Sequence, residues 1–244
     1  MKILITGASS GIGAEFARQY ATVENELFLL ARREEKLKAL QHELSLQCKN
    51  ITLIVVDVRD FDTLQQKLRQ YDAFDMVILN AGISLGHTHI AIPTIKAFKN
   101  LYDVNILSQH AVLEIVLVKM VAQKRGKIVF ISSLSSLFTM PSATVYASSK
   151  RALNAYAEGI AYQYAQDGIE VFVMLPGFIR SELTDKNTFA MPFFLETDEG
   201  VRRMKHAIEK KRYFYPFPLR FYLIIRVMRL LPTSLSQRIV NYLS

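Results

Sequence analysis

Residues 6–13 read Thr6-Gly7-Ala8-Ser9-Ser10-Gly11-Ile12-Gly13, between a short apolar run, Lys2–Ile5, and an amphipathic stretch, Gly13–Thr22. Where a strand leads through such a loop into a helix, backbone amides and the helix N-terminus can hold a pyrophosphate. Glycines there permit a tight turn and let the phosphates approach the backbone. Although a bare strand-to-helix turn is the alternative, the spacing in this setting predicts a dinucleotide-binding loop. The predicted contacts are Gly7, Ser9, Ser10, Gly11, Ile12 and Gly13.

Beyond this loop, short apolar runs alternate with amphipathic stretches long enough for crossover helices, such as Glu34–Gln47. Continuous runs of Val, Ile, Leu and Phe suit strands that are buried on both faces. The predicted fold is therefore an α/β doubly wound parallel sheet with helices on both faces. The runs are Lys2–Ile5, Leu27–Leu30, Ile51–Val56, Met76–Leu79, Lys127–Ile131 and Val171–Leu175, with a seventh strand at Arg212–Tyr215. Because no linker or repeat divides the chain, residues 1–244 are predicted to form a single domain.

Composition limits the function classes. The chain has 244 residues, a net charge of +8 and one cysteine, Cys48, which suits a reducing compartment. No nucleic-acid-binding module is recognisable, so we interpret the positive charge as a solvated basic surface. We find no signal peptide and no run of 18 apolar residues, which predicts a cytoplasmic protein without a transmembrane helix.

The end of the second predicted strand bears on the choice of cofactor. An acidic residue here would bind the adenosine ribose 2′-hydroxyl. This chain has Ala31 at that place, followed by Arg32 and Arg33. A guanidinium group suits a phosphate dianion, so Arg32 is predicted to favour NADP(H) over NAD(H). The alternative is that Arg32 and Arg33 start a solvated helix and pair with Glu34 or Glu35.

Two further strand ends are predicted to border the cofactor. Asp57 and Val58 follow the third strand and would lie beside the adenine. Asn80, Ala81 and Gly82 follow the fourth strand and would line the floor of the cofactor site.

Ser133, Tyr146 and Lys150 form the candidate catalytic group. Tyr146 and Lys150 are four residues apart and so share one face of a helix, while Ser133 follows a predicted strand. A carbonyl that accepts a hydride must also receive a proton on its oxygen, and Ser133 can donate a hydrogen bond to that oxygen. A free phenol has a pKa of about 10, which the Lys150 ammonium is expected to lower. Ser132 is the competing serine, and the spacing favours Ser133.

Together these motifs resemble the short-chain dehydrogenase/reductase family in its single-domain form. The resemblance rests on Thr6–Gly13, Asn80-Ala81-Gly82, Ser133, Tyr146-x-x-x-Lys150 and Pro176-Gly177, in that order. It weakens after about residue 180.

The resemblance implies further roles and an assembly. Asn105 would be a fourth catalytic residue that kinks its helix and holds a water linking Lys150 to solvent. Pro176, Gly177, Ile179 and Ser181 would border the nicotinamide. The family also implies the sheet order 3-2-1-4-5-6-7 and a homodimer or homotetramer formed through the helices that carry Asn105 and Tyr146. The apolar segment Val112–Val121 fits such an interface or a plain core face.

Two regions bear on the substrate. Residues 181–200 lie where the family places a lid, and they include Phe189, Met191, Pro192, Phe193, Phe194 and Leu195. Their apolar character predicts a hydrophobic carbonyl substrate, with ordinary packing on the sheet as the alternative. Residues 216–244 are predicted to form a helical arm, interrupted at Pro232, with Thr233 or Ser234 capping its second helix. The arm either contacts an anionic membrane or, as we favour, packs on the lid or on another subunit.

Three functions compete. The first is a redox enzyme, and the second is a non-catalytic NAD(P)-binding sensor, which would not need Ser133, Tyr146 and Lys150 together. The third is an epimerase or dehydratase, whose relatives usually carry a long sugar-binding region. The sequence favours the oxidoreductase, with a small-molecule carbonyl or alcohol as substrate and no metal.

Overall fold

The computed structural model describes residues 1–86, 92–185 and 191–243. Seven parallel strands form one sheet in the order β3-β2-β1-β4-β5-β6-β7, as expected. The strands are β1 (Lys2–Thr6), β2 (Glu26–Ala31), β3 (Asn50–Val55), β4 (Met76–Leu79), β5 (Gly126–Ile131), β6 (Ile169–Pro176) and β7 (Phe214–Phe217).

Helices cover both faces of this sheet. They are α1 (Gly11–Tyr20), α2 (Glu34–Leu44), α3 (Phe61–Arg69), α4 (Ile95–Tyr102), α5 (Ser108–Ala122), α6 (Thr144–Gln163), α7 (Thr197–Glu209), α8 (Leu219–Leu230) and α9 (Thr233–Leu243). A π-helical turn, Asp103–Leu107, joins α4 to α5.

The apolar runs form strands because each strand is buried from both sides. In β1, Leu4 packs into the core on one face of the sheet, whereas Ile3 and Ile5 pack into the core on the other face. β4 divides in the same way, with Val77 on the side of Leu4 and Ile78 on the side of Ile3. Side chains alternate along a strand, so only a continuous apolar run can fill both cores.

The strand order reverses at β1, which lies between β2 and β4. In open α/β sheets, ligands bind beyond the carboxyl ends of the strands at such a point. The glycine loop follows β1 and Asn80 follows β4, so the topology brings the two predicted cofactor segments together.

Several predicted boundaries were wrong by a few residues. β7 spans Phe214–Phe217 and not Arg212–Tyr215, because Lys211 and Arg212 still donate hydrogen bonds to carbonyls of α7. α1 begins at Gly11, two residues earlier than expected, and α2 ends at Leu44. The break at Pro232 is confirmed, but α9 begins at Thr233, which places Thr233 and Ser234 in its first turn.

The continuous helical stretch Ile95–Ala122 is long and apolar enough to cross a membrane by length and composition alone. However, 61% of its apolar window is buried inside the structure, as in the core helices of soluble proteins. Within Val112–Val121, the side chains of Val112, Val116 and Met120 are fully buried in the chain's own core, whereas Val118 is exposed. Most of this segment therefore serves the core.

Candidate active site

The glycine loop is wound so tightly that side chains are excluded from it. Gly7 and Gly11 have φ angles of +67° and +52°, which favour glycine. A β-carbon on Gly13 would lie 2.3 Å from the Gly7 carbonyl oxygen. Ser10, which precedes α1, makes no side-chain cap, so the first amides of this helix remain available to an anion. The loop therefore has the shape and the free amides that a pyrophosphate needs, and its contacts with the cofactor stay predictions.

Thr6 ties this loop to the end of β4. Its hydroxyl oxygen accepts hydrogen bonds from the backbone N–H groups of Asn80 and Ala81, both at 3.0 Å. The Asn80 side chain in turn donates to the Thr6 carbonyl at 3.0 Å. These bonds hold Asn80, Ala81 and Gly82 beside the glycine loop, where they were predicted to lie.

Arg33, and not Arg32, reaches the glycine loop. Its guanidinium group donates to Ser9 Oγ at 2.9 and 3.1 Å and to Ser10 Oγ at 2.6 Å. Arg32 points elsewhere, with its side chain 66% exposed and 3.8 Å from Asp57. Lys36, one turn further along α2, approaches the same cluster through Glu182. Arg33 therefore contacts the loop, Lys36 is joined to it through Glu182, and a phosphate role for Arg32 stays a prediction.

Asp57 is held by arginines at the end of β3. Both of its carboxylate oxygens accept hydrogen bonds from the Arg59 side chain, at 2.6 and 3.0 Å. These bonds, chiefly the side-chain pair, lower the pKa of Asp57 to about 2. Val58 is half-buried beside it and packs on the core under α3. Both residues lie where the adenine was predicted, and their contact with it stays a prediction.

The two candidate serines, Ser132 and Ser133, have different surroundings in the structure. Ser132 is buried, and its hydroxyl donates to Asn154 Oδ1 at 2.5 Å, so it is engaged in packing β5 against α6. Ser133 follows β5, and its hydroxyl group is close enough to the Tyr146 phenol to lower the pKa of that phenol. Its Oγ also accepts hydrogen bonds from Ser135. The geometry therefore favours Ser133, as the spacing did.

Tyr146 and Lys150 lie on one face of α6, with Lys150 Nζ 5.8 Å from the centre of the Tyr146 ring. Burial raises the pKa of Tyr146 to about 12, against a smaller lowering by Ser133. The expected lowering of this pKa by Lys150 is not found, since burial and the Ser133 hydrogen bond are the only causes of the shift. Lys150 Nζ donates to the Ile131 carbonyl at 2.7 Å, and burial lowers the pKa of this ammonium to about 8. The phenol is thus protonated near neutral pH.

Asn105 lies in the π-helical turn, so the predicted irregularity in this helix is present. Its side chain is fully buried, accepts from Ile83 N at 2.8 Å and donates to Ile83 O at 3.1 Å. It also donates to Ser149 Oγ at 3.0 Å. A β-carbon on Gly82 would lie 3.5 Å from both Asn105 Oδ1 and Lys150 Nζ, so the bare glycine leaves space between these two side chains.

The residues after β6 close the opposite side of the glycine loop. A β-carbon on Gly11 would lie 3.1 Å from Ser181 Cβ, so Ser181 borders the loop. The Ile179 side chain is buried, and its carbonyl accepts from Thr184 Oγ1 at 2.8 Å. Gly177 N donates to the Phe217 carbonyl at 2.8 Å, which fixes Pro176 and Gly177 beside β7. Of these four predicted residues, Ser181 borders the glycine loop, whereas Pro176 and Gly177 lie at the end of β6 beside β7.

The predicted lid is described only outside residues 186–190, so Phe189 lies outside the described residues. Phe193 is exposed and packs against Phe221 of α8, with ring centres 5.8 Å apart. Phe221 also packs on Phe178 at 5.8 Å. A small cavity of about 20 Å³, bordered by Ser84, Gly86, Pro141 and Tyr146, opens beside the Tyr146 side chain. A larger depression of about 920 Å³ surrounds Gly168 and contains none of the predicted site residues.

Some residues around the glycine loop were not predicted from the sequence. Lys36 follows Arg33 by three positions on a helix, a spacing that was visible as a shared face. Thr6 belongs to the quoted glycine segment, but its role as a link between strands depends on the pairing of β1 with β4. Glu182 and Thr184 follow Ser181 and carry no chemical signal of their own.

The buried Lys150 ammonium also yields a stability prediction. Lowering its pKa from 10.5 to about 8 corresponds to a penalty of about 3 kcal/mol at neutral pH. The hydrogen bond to Ile131 offsets part of this penalty, so Lys150→Met is expected to raise the free energy of unfolding by about 1 kcal/mol at pH 7. Urea unfolding at pH 7 and at pH 9.5 measures the change.

The pH dependence has a defined sign. The unfolded chain binds more protons at Lys150 between pH 8 and 10.5, so the stability of the native protein rises through that range. The advantage of Lys150→Met should therefore shrink at pH 9.5. Lys38→Met, at an exposed lysine paired with Glu34, should change the free energy of unfolding much less than Lys150→Met does. A gain that does not depend on pH would contradict the burial argument.

Comparison with known proteins agrees with this geometry. Residues 1–191 match the family described as short chain dehydrogenase. A Myxococcus xanthus protein named an uncharacterized oxidoreductase is 32% identical over 236 residues, which cover 95% of this chain and 93% of that protein. A 3-oxoacyl-(acyl-carrier-protein) reductase of Rickettsia bellii is 32% identical over 183 residues, covering 75% of this chain and 74% of that protein.

The fold is also similar to that of solved structures. A short-chain dehydrogenase from Sphingobium yanoikuyae, solved in complex with NADPH, superposes with a TM-score of 0.83. It is 23% identical, and the match covers 96% of this chain and 97% of that one.

Proposed function

The chain belongs to the short-chain dehydrogenase/reductase family of oxidoreductases, and we propose that it moves a hydride between NADP(H) and the carbonyl or secondary alcohol carbon of a hydrophobic substrate. The observation that carries this proposal is the grouping of Ser133 with a half-buried, protonated Tyr146 and a buried Lys150. The same chain carries, earlier in the sequence, a glycine loop that fits a pyrophosphate.

The chain's own residues supply binding and proton transfer. The nicotinamide, when bound, supplies the hydride-transferring carbon. Gly7, Gly11 and Gly13 would hold the pyrophosphate, and Ser181 would border the nicotinamide. Tyr146 Oη holds the proton that the substrate oxygen receives, and Ser133 donates a hydrogen bond to the same oxygen.

A proton must return to Tyr146 after each turnover. Lys150 Nζ lies 5.8 Å from the centre of the Tyr146 ring. Asn105 is hydrogen-bonded to Ile83 and, like Lys150 Nζ, borders the space beside Gly82. We propose that a water between Asn105 and Lys150 connects this pair to solvent. Asn105 then acts as a positioning residue.

NADP(H) is favoured by the cluster next to the glycine loop. Arg33 and Lys36 contribute two positive charges, and Ser9 and Ser10 contribute hydroxyl donors. Charge-assisted hydrogen bonds of this kind suit a 2′-phosphate, whereas Ala31 leaves no carboxylate for a ribose hydroxyl.

A hydrophobic substrate is supported by the apolar residues of the proposed lid, 181–200. Phe193 is exposed and joins Phe221 and Phe178 in an aromatic group next to Gly177. The similar Rickettsia protein is named for a 3-oxoacyl substrate, which pairs a ketone with an acyl chain. A non-catalytic sensor is not favoured, because it has no use for a buried Lys150 beside Tyr146.

The proposed function is tested by cofactor binding followed by a substrate screen. NADPH and NADH are titrated into the protein by fluorescence, and NADPH oxidation is then followed with 3-oxoacyl thioesters, bulky ketones and small sugars. We expect tighter binding of NADPH and turnover of the apolar carbonyl compounds. Turnover of sugars alone would overturn the substrate class, and cofactor binding without any turnover would favour the sensor.

The arm presents an apolar face to solvent, although its inner face packs on the proposed lid through Phe221. Five exposed apolar residues, Leu219, Leu223, Ile224, Val227 and Leu230, fall within an arc of about 140° on α8, which also contains the exposed Arg220. The arginines are distributed around the helix, and for this reason the apolar face was not recognised from the sequence.

We propose that this face contacts an anionic membrane. The arm carries Arg220, Arg226, Arg229 and Arg238, and residues 210–244 contain no acidic side chain. Two copies of the arm packed together would bring these cations near one another, whereas anionic lipids would neutralise them. A membrane also suits the delivery of an apolar substrate.

Vesicle sedimentation tests this contact. The protein should sediment with vesicles containing phosphatidylglycerol and much less with phosphatidylcholine alone. Leu223→Glu should abolish sedimentation, while Val23→Glu, at an exposed apolar residue outside the arm, should leave it unchanged. Retention of the native protein in the supernatant, or association of copies through the arm in light scattering, would overturn the membrane contact.

Assembly into a homodimer or homotetramer through α5 and α6 is proposed on the family resemblance. The exposed side chains of Val118 and Tyr162 give these helices apolar surface to bury. Light scattering in solution measures the oligomeric state, and a monomer at all concentrations would overturn the assembly.

A further inference from the structure

Glu182 bridges two segments that are far apart in sequence. Its Oε2 atom accepts hydrogen bonds from Arg33 Nη1 at 2.7 Å and from Ser10 Oγ at 3.2 Å. Its Oε1 atom lies 2.5 Å from Lys36 Nζ. The turn that follows β6 is thereby fastened to the glycine loop and to the start of α2.

The partners of Glu182 are the groups proposed above to bind the cofactor's 2′-phosphate. The Glu182 carboxylate accepts one hydrogen bond each from Arg33, Lys36 and Ser10. Arg33 also donates hydrogen bonds to Ser9. A carboxylate and a phosphate both present anionic oxygens that compete for the same N–H donors. Donors of Arg33, Lys36 and Ser10 that a 2′-phosphate would need are therefore already hydrogen-bonded to Glu182.

Because of its charge, Glu182 should oppose the binding of NADPH more than the binding of NADH. Arg33 and Lys36 carry two positive charges, and Glu182 removes one of them. A 2′-phosphate that entered with Glu182 in place would add a dianion next to an existing anion. NADH lacks this phosphate, so its binding does not meet the same repulsion. The lowered pKa of Glu182, about 2 and caused chiefly by Lys36, keeps the carboxylate charged at working pH.

We propose that Glu182 is a specificity-determining residue, an internal carboxylate that competes with the cofactor's 2′-phosphate for Arg33, Lys36 and Ser10. It lowers the affinity for NADPH without lowering that for NADH, and so narrows the preference between them. Binding of the phosphate releases Glu182 and with it the tie to the turn after β6. This inference rests on the proposed phosphate role of the Arg33 cluster.

Binding measurements on Glu182→Gln test the proposal, because glutamine keeps the size of the side chain and removes its charge. Adenosine 2′,5′-bisphosphate and adenosine 5′-monophosphate, which differ only in the 2′-phosphate, are titrated by calorimetry. NADPH and NADH are titrated by fluorescence. We expect Glu182→Gln to bind the bisphosphate and NADPH about five-fold or more tightly, with less than a two-fold change for the other two, and the gain should shrink in high salt.

Glu34→Gln is the matched control. Glu34 is adjacent to Arg33, but it pairs with Lys38 and not with the cluster, so it reports the general effect of losing one negative charge nearby. Its gain for NADPH should be smaller than that of Glu182→Gln. Equal gains in the two variants would overturn a specific role for Glu182.

The remaining outcomes separate the inference from the cofactor preference. Unchanged or weaker bisphosphate binding by Glu182→Gln, in a chain that prefers NADPH, would overturn the competition and leave the preference intact. Equal binding of both cofactors by the native chain, with a gain for NADPH in the variant, would overturn the native preference and support the competition. Equal binding in both proteins would overturn both.

Discussion

Replacing Tyr146 by phenylalanine is expected to lower kcat by about 10³-fold while leaving the Kd for NADPH within about three-fold of the native value. The phenol supplies the proton that the substrate oxygen must receive, and burial keeps that proton in place by raising the pKa of Tyr146 to about 12. The ring is retained in the variant, so the packing of α6 changes little. Stopped turnover together with intact cofactor binding is the signature of lost acid catalysis.

Tyr156→Phe is the matched control for this experiment. Tyr156 lies on the same helix, and its hydroxyl contacts His110 Nδ1 at 2.7 Å, away from Ser133. Its loss should change kcat by less than about two-fold. If Tyr146→Phe retained most of its activity, the proton would come from another group, and the assignment of Tyr146 as the acid would be wrong.

The fold was predictable because its signal is local. Each strand is an apolar run filled from both sides of the sheet, as Ile3 and Leu4 show, and the runs mark all seven strands within two residues of their ends. β7 has the largest offset, since both of its ends lie two residues later than predicted. The hydrogen bonds of Lys211 and Arg212 to α7 settle its start, and they are visible only in three dimensions.

The residues of the site also fall into those that local sequence predicts and those that depend on three-dimensional contacts. Ser133, Tyr146 and Lys150 were predictable because the spacing of Tyr146 and Lys150 occurs together with a serine at a strand end and with the glycine loop. Arg33 was not chosen over Arg32, because consecutive side chains at the end of β2 point in different directions and the backbone at the start of α2 decides which one faces the loop. Glu182 was missed because its partner Arg33 is 149 residues away.

Arg33→Ala is expected to weaken NADPH binding by about 10- to 100-fold and NADH binding by less than about three-fold. The guanidinium group supplies charge-assisted hydrogen bonds that are each worth about 1.5–3 kcal/mol, and a tenfold change in Kd is about 1.4 kcal/mol. Without Arg33, Glu182 also loses one of its partners and faces the incoming phosphate with less compensation. Fluorescence titration with both cofactors measures the effect.

Arg32→Ala provides the comparison, because it removes the same charge one residue earlier from a side chain that is 66% exposed and turned toward Asp57. Its effect on NADPH should stay within about three-fold, which is the size expected for a screened surface charge. A larger loss in Arg32→Ala than in Arg33→Ala would restore the interpretation from sequence and mean that the two side chains exchange places when the phosphate binds. Equal losses would mean that both arginines contact it, since the long-range charge effect alone cannot produce a change of ten-fold or more.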